Sequence, residues 1–147
     1  MVDWSQAEAQ LAHLSITAEE GFFISLFPPK QRGSKQVCHN IAQKGTIDKS
    51  TIEQYLERYP DHGLGYIPNW GGTKDSEIAY CRAIFYEDDN PATDLEHKRK
   101  QWETAGLPHP SLQIWTGGKS VHNYWILDTP CSCLLYTSPS PRDQRGS

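Results

Sequence analysis

SLQIWTGGKSVHNYWIL, residues 111–127, is the stretch around which the rest of the chain must be arranged. It reads as strand, glycine turn, strand, the pattern of a β-hairpin. Gly117 and Gly118 can take the positive φ of a tight turn and expose backbone N–H groups suited to anionic oxygens. Lys119 adds a charge and Ser120 a hydroxyl. Alternate residues of a strand share a face, so Ser120, His122 and Tyr124 are expected on one side and Val121, Asn123 and Trp125 on the other. A Walker A loop is excluded, because its first glycine is missing and a strand rather than a helix follows.

Upstream, IAYCRAIFY, residues 78–86, is β-prone and reads as a central strand. It runs straight into Glu87, Asp88 and Asp89. By strand alternation Glu87 and Asp89 point together while Asp88 points away. Two carboxylates on a rigid element suit Mg²⁺ or Mn²⁺, which take one or two carboxylates plus phosphate oxygens. Taken singly, the acids read equally as caps and turn residues, and His122 as an incidental hairpin histidine. Together, on two strands separated by one helix, they can form an edge where carboxylates hold metal and the glycine turn holds a triphosphate.

The remaining elements surround this pair. Asp3–Leu14 is helix-forming, with Trp4, Ala7, Leu11 and Leu14 at helical spacing and Asp3 as cap. GFFISLFPP, residues 21–29, is a strand ended by prolines, and KQRGSK, residues 30–35, is a basic loop. Ser50-Thr51-Ile52-Glu53 has capping-box form and opens a helix that stops at Pro60. Gly63–Gly72 is a second strand. Asn90-Pro91 supplies a cap for a surface-lying helix over Asp94–Ala105, ended by Gly106.

A length of 147 residues suits one domain, and a formal charge of −4 rules out a general nucleic-acid coat. No run of apolar residues is long enough for a membrane span and no signal peptide opens the chain, so a cytoplasmic protein is expected. Cys38, Cys81, Cys131 and Cys133 lack the paired spacing of a zinc site.

AIFYEDD, residues 83–89, resembles the first motif of the archaeo-eukaryotic primase (primase-polymerase) superfamily, a hydrophobic strand ending in acid-x-acid. TGGKSVHNYW, residues 116–125, is similar to its second motif, Ser-x-His on a strand after a glycine-rich turn. The nearest resemblance is to replication primases of plasmids and phages, over roughly Gly63–Leu127. It implies an α+β fold, a mostly antiparallel sheet with helices packed on it around an RRM-like core. It also implies catalytic Glu87, Asp89 and His122, with Glu87 and Asp89 binding Mg²⁺ or Mn²⁺. Ser120 and His122 would contact the nucleotide's phosphates, with Lys119, Gly117 and Gly118 assisting. The implied partners are nucleoside triphosphates, a DNA template and, in a full-length protein, a helicase domain. Two departures are visible: Glu87 replaces the usual Asp, and the third acidic motif has no counterpart before Cys133. A different class, a non-catalytic replication-initiation or single-strand-binding module, would instead use Tyr66, Trp70 and Trp115 to stack bases. A nuclease-like metal site on the same acids explains the glycine turn less well.

CLLYTSPSPRD, residues 133–143, has no periodicity and looks like the conceptual translation of a transposon-end sequencing adapter. On that expectation residues 1–132 are part of a primase-polymerase catalytic domain truncated at its C-terminal side, and inactive as such. Residues 133–147 are then a non-native tail.

Overall fold

The computed structural model describes residues 2–30 and 37–132, so most of the basic loop and the whole of the tail from Cys133 lie outside the described residues. The fold class is α+β: three α-helices and two three-stranded sheets among the described residues. Where one domain was expected, the chain divides into two compact units, Met1–Ser15 with Arg82–Pro130, and Ile16–Cys81 with the end of the last strand. No helix among the described residues is long and apolar enough to cross a membrane.

In the second unit the strand β1 (Gly21–Phe27) lies between β2 (His39–Lys44) and β3 (Gly63–Ile67), antiparallel to both. Its apolar run explains the central place, with Phe22, Ile24 and Leu26 at most 4% exposed. The intervening Ser25 is buried too and donates its hydroxyl to Asn40 Oδ1 at 2.6 Å. The strand β2 was not legible in the sequence, because HNIAQK places only Ile41 and Gln43 inward and carries little β-branched character. Helix α1 (Trp4–His13) belongs to the first unit and α2 (Lys49–Arg58) to this one. The capping box expected at Ser50 does not form. Asp48 caps instead, accepting from the Thr51 N–H and hydroxyl, and places the cap two residues earlier. At the foot of β3, Gly71 has φ +133 and a Cβ there would sit 2.2 Å from the Glu77 carbonyl oxygen, so only glycine fits.

The first unit holds the sheet β4-β6-β5. The strand β4 (Tyr80–Glu87) stands at its edge among the described strands, not at the centre as the sequence suggested, because β6 pairs with both neighbours. Its Ile84, Phe85 and Tyr86 are accordingly each about half exposed. The hairpin is as expected, with β5 (Leu112–Trp115) antiparallel to β6 (Val121–Ser132) and Ile114 opposite His122. Helix α3 (Leu95–Thr104) is capped by Asp94, which accepts from the His97 N–H at 2.9 Å. Asn90 was the wrong cap: its side chain closes a local turn on Ala92.

Candidate functional site

The site is assembled within the first unit from the end of β4 and the start of β6. Glu87, the last residue of β4, reaches His122, the second residue of β6, with Oε2 and Nε2 2.5 Å apart. The other imidazole nitrogen, Nδ1, lies 3.3 Å from the Tyr124 hydroxyl. Each ring nitrogen thus faces an oxygen, so the imidazole is oriented from both sides. Phe85, two residues before Glu87 and on its face, stacks on His122 and Tyr124 with centroids 6.3 and 5.6 Å away. This aromatic wall was missed in the sequence; the spacing of two from Glu87 was the available signal.

Asp88 takes the opposite direction, as alternation requires. Its two oxygens accept from the Asn90 N–H and the Gln101 side chain, both at 2.7 Å. The Asn90 bond, then the Gln101 bond, hold its carboxyl below the usual carboxylate range. Asp88 is therefore spent on fastening β4 to α3, which leaves Glu87, in contact with His122, and Asp89 as the acids of the run on the other face. Asp89 is exposed just past the strand end.

The glycine turn is built differently from the expectation in one respect. Gly117 has φ +78, whereas Gly118 does not enter the positive-φ region and serves through its carbonyl, which accepts from Trp115 Nε1 at 3.0 Å. A Cβ at either glycine would meet nothing within 4 Å, so the turn stands in open space. Thr116 closes it by donating its N–H and hydroxyl to the Ser120 carbonyl. Ser120 itself is 5% exposed and its Oγ has no hydrogen-bond partner among the described residues. A buried hydroxyl without a partner is costly, and such an atom beside an open turn is the kind a ligand oxygen satisfies. The Lys119 side chain is exposed, while its carbonyl accepts from Lys98 Nζ.

Lys98 is the other residue that sequence reasoning passed over. It is 1% exposed on a helix otherwise lying at the surface, and its ammonium group also acts on Asp88 electrostatically. Leu95, Lys98 and Trp102 recur at helical spacing, so Lys98 occupies a place in the inward stripe where a buried charge must find acceptors. It thereby ties the acidic run to the turn through α3.

The donor chemistry of Glu87 and Asp89, two water-accessible carboxylates, fits a hard divalent cation that keeps positions for water and phosphate. Among the described residues no group of three or more His, Cys, Asp or Glu is placed to hold a metal ion. Any cation here would rest on two protein carboxylates, with the remaining positions filled from outside.

The fold has a counterpart among solved structures. The AEP domain of the primase-polymerase of cyanophage S-2L is similar over 92% of this chain and 68% of its own length, at 27% identity and a TM-score of 0.71. By this likeness the chain resembles the archaeo-eukaryotic primase superfamily. No family profile matches it. No curated protein matches it either. The primase-like fold covers residues of both units, and the strand-end acids and Ser-x-His turn fall in one of them, the first.

Proposed function

We propose that the chain carries the metal- and nucleotide-binding face of a DNA primase-polymerase catalytic domain, of the kind that serves plasmid or phage replication. The observation that carries this reading is the Glu87–His122 contact, which joins the acidic strand end to the Ser-x-His strand at 2.5 Å. Glu87 and Asp89 hold Mg²⁺ or Mn²⁺. Ser120 Oγ, the Lys119 ammonium, His122 and the open Gly117-Gly118 turn receive the phosphates of a nucleoside triphosphate. The divalent ion, when bound, neutralises charge on the phosphates and on the attacking oxygen. With a divalent ion held by Glu87, His122 would be free of the carboxylate and would present a ring nitrogen to a phosphate oxygen. The Tyr124 hydroxyl and the Phe85 ring keep the imidazole in plane. Lys98 holds the turn at a set distance from the acids. Nucleotide and a DNA template are the substrates, with a helicase domain as the neighbour in a longer chain.

Binding of deoxyadenosine triphosphate by this chain, followed by calorimetry with and without Mn²⁺, tests the reading. Metal-dependent binding that weakens about tenfold or more in both Glu87→Gln and His122→Ala is the expected result. Binding indifferent to metal and to both substitutions would sink it. A non-catalytic strand-binding module is favoured by one observation, the 60% exposure of Trp115, and it predicts oligonucleotide binding with no nucleotide site at Glu87.

A further inference from the structure

Trp115 is the most exposed large aromatic residue among those described, at 60%, and no other described ring stacks on it, whereas Trp70 lies against Tyr80 and Trp102 against His109. It is not loose. Its indole N–H is fixed on the Gly118 carbonyl, so the ring is held in place at the mouth of the glycine turn. Trp115 shares a strand face with Gln113, two residues away, whose amide donates to the Arg99 carbonyl of α3 and to Asn123 Oδ1. That face is therefore the α3 side of the sheet, opposite the one on which His122 meets Glu87.

Between Trp115 and α3 lies a cavity of about 340 Å³, lined by Leu95, Arg99, Gln113, Trp115 and Val121. Leu95 and Val121 contribute apolar lining, Trp115 an aromatic side chain and Arg99 a cationic one. Arg99 is paired with Glu96 at 3.4 Å, but both side chains are about 60% exposed, and such a surface pair holds the guanidinium weakly. Lys119 stands exposed on the adjoining turn, four residues from Trp115. A planar aromatic wall, a stacking-competent guanidinium and a neighbouring ammonium are the chemistry that receives one base of a nucleic-acid strand together with its phosphate.

We infer that Trp115 and Arg99 form a stacking pocket for a base of single-stranded DNA, with Lys119 contacting the adjoining phosphate. The pocket takes a strand and not a free nucleotide: the orphaned hydroxyl expected to hold a triphosphate belongs to Ser120, and the pocket has a single cation in its lining. A fixed indole costs little conformational entropy on binding, so stacking on it converts efficiently into affinity. Base recognition here is sequence-tolerant, since every base offers a π-face.

The test is fluorescence anisotropy of a labelled single-stranded oligodeoxyadenylate in metal-free buffer, which keeps it separate from the metal-dependent nucleotide binding proposed above. Trp115→Ala weakens binding about tenfold, Trp115→Phe stays within a few-fold of the parent, and Arg99→Gln weakens binding and flattens its salt dependence. His122→Ala leaves strand binding intact while weakening nucleotide binding about tenfold or more. Undiminished binding by Trp115→Ala, or equal loss in the Ala and Phe variants, overturns the pocket. Displacement of the strand by deoxyadenosine monophosphate at comparable concentration overturns the choice of a strand as its occupant.

Discussion

Glu87 carries one methylene more than an aspartate would, and its carboxylate lies 2.5 Å from His122 Nε2. Glu87→Asp shortens the arm and is expected to free His122; Glu87→Gln keeps the length and removes the charge. If metal sits on this carboxylate, Glu87→Asp retains metal-dependent nucleotide binding and Glu87→Gln does not, which calorimetry separates. Lys98 offers a second test at the same scale. Its ammonium lies buried against the Lys119 carbonyl, so Lys98→Ala leaves a cavity and a carbonyl without its donor. Denaturant unfolding should show a loss of about 2–4 kcal/mol, with Lys98→Met recovering the part due to packing of the stem. A loss below about half a kcal/mol would mean that the buried ammonium contributes nothing net.

At the scale of elements, the strand β4 presents three consecutive large side chains, each about half exposed, on the outer edge of its sheet. An apolar edge strand with few charges invites pairing with another copy. Sedimentation at rising concentration is expected to show self-association, and Ile84→Lys to suppress it. Monomeric behaviour of the unsubstituted chain throughout the range would show that the edge is covered. Helix α2 carries a pH dependence. The Thr51 hydroxyl, then the Thr51 N–H, donate to Asp48 and hold its carboxyl below the ordinary 3.8. A depressed folded value means that the cap stabilises the helix fully above the ordinary value and stops doing so as pH falls through the lower one. Asp48→Asn therefore melts at nearly the same temperature in strong acid as the parent and at a lower one near neutrality. Parallel melting curves at both pH values would count against the cap.

For the whole molecule, two carboxylates among the described residues are too few for the usual metal site of a polymerase, and primer synthesis by this chain with Mn²⁺ is expected to be undetectable even where nucleotide binds. We propose that Cys133–Asp143 is adapter sequence; amplification from the source DNA past the codon for Ser132 should then read into different residues. Natural DNA encoding CLLYTSPSPRD would end that proposal. The hairpin, the acidic strand end and the opposite directions of Glu87 and Asp88 were all determined by sequence, because strand alternation and glycine turns are local rules that few residues can break. Only the tertiary structure decided that Asp88 is fastened to Gln101, that β4 lies at an edge, that Lys98 is buried and that Trp115 faces an open pocket. Each of these depends on which strand pairs with which and on what a helix covers, and those are contacts between residues far apart in the chain, on which local periodicity carries no information.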